Sequence, residues 1–176
     1  MMIGFENIQL KSERLAYRLL CDKDKSGLAR ILSDRTVTQP AGFMPAKTQA
    51  EFDLFFQNLT QRNTGIGIFL DNKLIGYLHV NPYRDDSEFF RNKKCISLGF
   101  VIGKDYQKQG YGTEMLKFLT DYLLLQFDAC FADHFSENIP SKKVIINSGY
   151  IFNETYTMYF DELHCEKTCD GYFKSK

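Results

Sequence analysis

"FVIGKDYQKQGYGTEMLKFL", residues 100–119, decides how the chain is read. An apolar, partly β-branched run ends at Gly103. A polar loop follows, with Gly110 and Gly112 one residue apart, and then a segment carries Met115, Leu116, Leu119, Tyr122 and Leu123 on one side. That order is strand, loop, helix. A helix mouth presents up to four backbone N–H groups without helical partners, and the macrodipole adds about half a positive charge there. Glycines let the backbone curl and let a ligand reach the amides without a Cβ in the way. The stretch is therefore a tight turn or an anion site. Two phosphate motifs fail. A P-loop, G-x-x-x-x-G-K-S/T, needs a lysine that does not follow either glycine. The dinucleotide fingerprint G-x-G-x-x-G would need a third glycine where Met115 stands.

Working outward, "CISLGFVI" places Ile96, Leu98, Phe100 and Ile102 on one face and Cys95, Ser97, Gly99 and Val101 on the other. The second face is small, which predicts close packing against it. Upstream, "SERLAYRLL" reads as a strand with Leu15, Tyr17 and Leu19 on one face, and "DKDKSGLARIL" as a short helix with Leu28, Ile31 and Leu32 inward. Residues 36–47 read as a loop. Thr48 and Glu51 form a capping box for a helix whose stripe of Phe52, Phe55, Phe56 and Leu59 reads as core. "GIGIFL" and "KLIGYLHV" form a hairpin across Asp71 and Asn72, ended by Pro82, and "YRDDSEFFRNK" reads as an exposed connection. His79 reads as a sheet histidine. Downstream, "DACFADHF" is a strand, Asn138 an N-cap, Pro140 a first-turn proline, Gly149 a C-cap, and "YIFNETYTMYF" the last strand or hairpin. "DELHCE" reads as solvated surface or an edge strand. The fold class is α/β with mixed order.

The 176 residues suit one domain, residues 1–176. A chain 44% hydrophobic and 25% charged is ordinary globular material, and its net charge of +0 argues against coating nucleic acid or an anionic membrane. No apolar run approaches the roughly 20 residues that span a bilayer, and the N-terminus lacks a signal-peptide pattern; a cytoplasmic location is expected. The five cysteines are scattered and read as reduced structural thiols. "HCEKTC" has no second half for a metal site, so no metal is expected.

The residues Gln107-x-x-Gly110-x-Gly112 resemble the pyrophosphate loop, Q/R-x-x-G-x-G/A, of the GNAT superfamily of acyl-CoA-dependent N-acyltransferases. "ENIPSKKVIINSGY" (137–150) is similar to that family's asparagine-led helix, with Asn138, Ser141, Gly149 and Tyr150 at the family spacing, and "SERLAYRLL" resembles the opening of its Rim-type branch, the ribosomal-protein N-terminal acetyltransferases. The resemblance implies a twisted, mixed, mostly antiparallel sheet with a splayed central strand pair and helices on both faces. It implies that acetyl-CoA enters the splay as cosubstrate, its pantetheine arm bonding amides at Phe100, Val101 and Ile102. The loop Gln107, Lys108, Gln109, Gly110, Tyr111, Gly112 and Thr113 would hold the pyrophosphate, Asn138 and Ser141 would add contacts, and Lys104 and Lys108 would add charge.

Chemistry in the family is direct attack of an amine on the thioester. Where many members carry a tyrosine acid this chain has Ile145, so the acid does not carry over, and Tyr150 is read as packing. The candidates for a catalytic base are Glu88 and Asp133; water-assisted deprotonation is the expectation. The acceptor, a peptide N-terminus or a small amine, would be held by residues 36–62 and 82–92. A homodimer is compatible with this reading, and the alternative is an acyl-CoA-binding sensor or interaction module without transferase activity.

Overall fold

Apolar periodicity along the chain resolves into alternating strands and helices in a computed structural model, which describes residues 5–83, 90 and 92–176. The elements are β1 (Gln9–Lys11), β2 (Ala16–Leu19), α1 (Lys25–Leu32), α2 (Arg35–Thr38), α3 (Gln49–Gln61), β3 (Gly65–Leu70), β4 (Lys73–Tyr83), β5 (Cys95–Ile102), α4 (Tyr111–Leu123), β6 (Ala129–Phe135), α5 (Ile139–Asn147), β7 (Ile151–Phe160) and β8 (Cys165–Ser175). The strands form one sheet in the order β1-β2-β3-β4-β5-β6-β8-β7. Neighbours are antiparallel except β5 and β6. This is the mixed, mostly antiparallel α/β arrangement expected.

The parallel pair is short. It joins Cys95 to Ala129, Ile96 to Cys130 and Ser97 to Phe131, and no further. Beyond those rungs β5 continues to Ile102 and β6 to Phe135 without pairing to each other, so the sheet opens at its centre. Helices cover both faces. Met115, Leu116, Leu119 and Leu123 of α4 are completely buried against Leu78, Val80 and Ile96 on one face, each worth ~2 kcal/mol relative to exposure. On the other, Leu28 and Leu32 of α1 and Phe52, Phe56 and Leu59 of α3 pack on Phe69, Tyr77 and Val101.

Local chemistry explains the element ends. Thr48 Oγ1 accepts from the Glu51 N–H (3.2 Å) and starts α3. The reciprocal half of the box is displaced by one residue, because the Glu51 carboxylate accepts from the Lys47 N–H (2.7 Å). Asp71 and Asn72 both have positive φ (48° and 64°), the geometry of a two-residue hairpin turn. Arg18 donates two hydrogen bonds to Asp24 (2.6 and 2.7 Å), whose carboxylate also accepts from the Cys21 N–H (2.9 Å), fixing the corner between β2 and α1.

Some expectations give way. The segment 36–47 is not all loop, since Asp34 caps the short α2 by accepting from the Thr36 N–H (2.8 Å). Pro82 does not end its strand; it pairs with Ile96 and β4 runs on to Tyr83. The connection after β4 is not wholly exposed, because Phe90 is buried against Phe131 and Phe173. Its residues 84–89 and 91, Glu88 among them, lie outside the described residues.

Candidate active site

The opened sheet holds a cavity of ≈ 1650 Å³. That exceeds the roughly 300–1,000 Å³ of a site for one drug-sized ligand and suits two substrates side by side. Its lining joins three regions: the β5 edge with the loop after it, the start of α5, and a wall built from 36–47, α3 and the β7–β8 turn.

Strand alternation decides which groups of β5 face the opening. The Gly103 N–H bonds the Ile75 carbonyl (2.8 Å), and on the other side the Lys94 carbonyl accepts from the Asp128 N–H (2.9 Å). Odd-numbered residues of β5 therefore spend their backbone groups on β4, and even-numbered ones point toward β6. Past the last rung to β6, the N–H groups of Phe100 and Ile102 and the Phe100 carbonyl face the cavity without a strand to bond. The Ile102 carbonyl accepts from Gln107 Nε2 (2.9 Å). Gln107 thus ties the loop to the strand end. Val101, expected to offer its amide here, has it turned to Tyr77 on β4.

The loop then delivers the helix. Lys108 and Gly110 take positive φ (61° and 84°), and the first helical bond runs from the Glu114 N–H to the Gly110 carbonyl (3.0 Å). The amides of Tyr111, Gly112 and Thr113 precede that bond and have no helical partner. The two glycines serve different ends. Gly110 supplies a backbone conformation that side chains disfavour. Gly112 supplies closeness: a Cβ there would meet Val144 Cγ2 of α5 at 3.3 Å. Lys108 and Thr113 line the cavity, and Lys143 joins them; Lys104 does not. Gln109 and Tyr111 contribute no cavity lining. Gln109 Nε2 donates to the Asp105 carbonyl (2.8 Å), and the Tyr111 ring lies under the Arg14 guanidinium (4.6 Å).

Arg14 is a residue beside this loop to which the sequence assigned no role. It donates to Glu114 Oε2 (2.7 Å) and to the Gln109 carbonyl (3.1 Å) while stacking on Tyr111. Glu114 also accepts from the Ser12 hydroxyl (2.7 Å) and the Arg14 N–H (2.8 Å). Burial pushes the Glu114 carboxyl up, but these donors together hold it below the usual range. The chain before β2 is thereby clamped to the first turn of α4.

At the start of α5, Asn138 Oδ1 accepts from the Ser141 N–H (3.1 Å) and Nδ2 donates to the Pro40 carbonyl (3.1 Å). The residue caps its helix and anchors the opposite wall. Asn138 and Ser141 both line the cavity. Ile145 is fully buried in the core. Tyr150 is buried with its hydroxyl on Thr120 Oγ1 (2.8 Å), as a packing residue.

The acceptor side departs most from expectation. Gly99, on the small face, is not closely packed: a Cβ there would meet nothing within 4 Å. The small residues leave open space. Phe52 and Phe55 belong to the core as expected and also border this space, and so does His79, which pairs with Gly99 across the sheet. Burial, with Arg62 adding to it, lowers the His79 pKa, and Nδ1 lies 3.3 Å from Asn81 Nδ2. Asp133 lines the cavity, but its carboxylate accepts a hydrogen bond from Tyr156. The "DELHCE" stretch is mostly exposed, as expected, and it also reaches the site. Asp161, Glu162 and His164 border the cavity, with the Glu162 carboxylate accepting from the Met44 N–H (3.0 Å). Its one sequence signal, His164 in a short turn between two strands, had no partner in the sequence to mark it. Among the described residues no group of three or more His, Cys, Asp or Glu could hold a metal.

Comparison with known proteins agrees with this geometry. A family model described as an acetyltransferase (GNAT) domain matches residues 14–151. The acetyltransferase (GNAT family) from Bacillus anthracis is 18% identical with a TM-score of 0.78, covering 96% of this chain and 98% of that one. Ribosomal-protein-S5-alanine acetyltransferase from Vibrio fischeri is 18% identical with a TM-score of 0.73, covering 96% and 97%. Spermidine N-acetyltransferase from Vibrio cholerae, in complex with CoA and spermine, is 13% identical with a TM-score of 0.75, covering 93% and 96%. No curated protein matches the chain. The structural likenesses establish a shared fold, and with a family model spanning most of the sequence, the chain belongs to the GNAT acetyltransferase family.

Proposed function

We propose that the protein transfers an acetyl group from acetyl-CoA to a primary amine, a protein N-terminal α-amine or a small-molecule amine, by direct attack in a ternary complex. The observation that carries this reading is one cavity in which unpartnered amides at the mouth of α4 adjoin the unpaired backbone edge of β5. These features fit an acyl-CoA. The amides of Gly112 and Thr113, with Lys108 beside them, suit a pyrophosphate. The groups at Phe100 and Ile102 suit a ligand arm that carries amides of its own. Acetyl-CoA supplies an activated acyl group; the rest is positioning, which can be worth an effective molarity of roughly 10⁵ M or more.

A C–N bond forms to the amine as the C–S bond breaks and the thiolate leaves. The Phe100 N–H serves the developing oxyanion. The amine arrives over Gly99, where nothing fills the space. His79, across the sheet from Gly99, is neutral at pH 7 because burial lowers its pKa, so it can accept the amine proton directly or through one water. It is a better base than Asp133, whose carboxylate is engaged by Tyr156. With Ile145 in the core and Tyr150 bound to Thr120, neither position supplies an acid, and the leaving thiolate takes its proton from water or from protonated His79.

The test is thiol release from acetyl-CoA by the purified protein over a panel of peptide N-termini and small amines. Amine-dependent release, with one acetyl appearing on the amine per thiol, is expected. Tight acetyl-CoA binding with a hydrolysis rate that no amine accelerates would mark a binding module and overturn the transferase reading.

A further inference from the structure

The acceptor half of the cavity has a chemistry of its own. Its floor is Tyr77, His79, Gly99 and Val101, paired across β4 and β5 as Tyr77 with Val101 and His79 with Gly99. Its roof is Val37 with Phe52 and Phe55, the Phe55 ring standing edge-on to Tyr77 at 6.3 Å between centroids. Tyr77 is only 5% exposed and lines the cavity, and its hydroxyl is not among the enclosed side-chain atoms left unpaired, which are Thr64 Oγ1 and Ser136 Oγ among the described residues. Burial raises its pKa, so the hydroxyl stays protonated. A hydroxyl at the edge of a cavity is placed to exchange hydrogen bonds with whatever fills the space beside it.

Among the described residues no buried carboxylate lines the cavity. The four acidic residues in the lining are exposed, and three are engaged: Glu51 accepts from the Lys47 N–H, Glu162 from the Met44 N–H, and Asp133 from the Tyr156 hydroxyl. The first two hold the 44–47 wall in place. Among the described residues no buried anion would replace the hydration that a polycation lost on entering the pocket, an uncompensated cost. An uncharged apolar group would instead gain by covering the phenylalanines.

Resting on the transferase reading above, we propose that the acceptor is a primary amine borne beside an uncharged, bulky apolar group, which enters the pocket of Val37, Phe52, Phe55 and Tyr77 while the Tyr77 oxygen accepts a hydrogen bond from the amine. Tyr77 is then the specificity-determining residue. Tyr77 and His79 lie on the same face two residues apart, about 6.6 Å along the strand, so the amine is held between the group that selects it and the group that deprotonates it. The same chemistry is offered by a peptide whose first residue is large and apolar and by a free arylalkylamine.

The experiment has a binding arm and a transfer arm. Calorimetry with acetyl-CoA reports the coenzyme site alone. Transfer is then measured with tetrapeptides that differ only in the first residue (Phe, Leu, Lys or Asp), with phenethylamine and with spermidine. Phe- and Leu-initial peptides are expected to exceed the Lys- and Asp-initial ones and spermidine by about tenfold or more in kcat/KM; phenethylamine matching the Phe-initial peptide marks the small amine as sufficient, and its failure marks the peptide as the source. Tyr77→Phe should lower kcat/KM for the best amine about tenfold through KM, and Gly99→Leu, which meets no neighbour within 4 Å at its Cβ, should fill the pocket and abolish transfer. Both variants should keep wild-type acetyl-CoA affinity. Preference for spermidine or the Lys-initial peptide, indifference to Tyr77→Phe, or acetyl-CoA binding without transfer to any apolar amine would overturn the proposal. Failure to bind acetyl-CoA at all would instead overturn the transferase reading and this one with it.

Discussion

His79 shows how one side chain changes meaning with its surroundings. In the sequence it is a lone histidine in an apolar strand. In the fold it faces an open space beside Gly99, and burial lowers its pKa below the ordinary 6.5. His79→Gln should cost about 10²–10⁴-fold in kcat with acetyl-CoA affinity preserved, whereas Asp133→Asn should change kcat little. The pH dependence separates the enzyme's proton from the substrate's. The acid limb of wild-type kcat falls below pH 6.5, where His79 gains its proton, and should vanish in His79→Gln, while the rise at higher pH from free amine remains in both. A thousandfold loss in Asp133→Asn would reverse the assignment. Asn138 gives a second prediction at this scale, since it holds α5 and Pro40 at once. Asn138→Ala should lower stability by about 1 kcal/mol as a lost cap and should also weaken acetyl-CoA binding, because the opposite wall is released; chemical denaturation and calorimetry read the two effects separately. The caps were legible from residue type alone. The role of His79 was not, because an empty space leaves no mark on the residues around it.

At the scale of the element, the strand–loop–helix unit was the most legible part of the molecule, since glycine spacing and apolar period both survive in one dimension. What spacing did not reveal is the division of labour between Gly110 and Gly112, or the clamp from Arg14, almost a hundred residues upstream of the loop it holds. Gly112→Val should disturb the approach of α4 to Val144 first, so the affinity for acetyl-CoA should fall together with thermal stability. A folded Gly112→Val protein with unchanged stability and unchanged affinity would show that the close approach is dispensable. Arg14→Ala should leave the fold intact but loosen the Gln109 carbonyl and the Tyr111 ring, weakening acetyl-CoA binding between about tenfold and a hundredfold. A wild-type dissociation constant for Arg14→Ala would remove the clamp from the site.

For the whole molecule, the strand order follows from rules about connection and pairing, yet the extent of each pairing does not. A three-residue parallel ladder and a ten-residue one look alike in sequence, so the splay entered only through family resemblance. Two carboxylates, Asp24 buried and Glu114 partly buried, tie the molecule's stability to pH. Burial pushes Asp24 up, but Arg18 and the Cys21 N–H hold it below the ordinary value, and Glu114 is held down likewise. Their folded pKa values lie below the unfolded ones near 4, so the unfolded chain takes up protons first. Their stabilisation is complete well above pH 4 and is lost as pH falls through and below that value. Denaturant midpoints should drop between about pH 5 and pH 3, and Asp24→Asn should be less stable at pH 7 while losing less across that interval. The unpaired reach of β5 has one more consequence. A central strand normally holds the slowest-exchanging amides of a domain, but the hydrogens on Phe100 and Ile102 face a solvent-filled gap. In deuterium oxide they should trade isotope early while their neighbours Val101 and Gly103, bonded to β4, remain protonated, and a filled cleft should erase that contrast. A strand at the heart of the sheet would then carry an alternating isotopic signature, every second position reporting on occupancy.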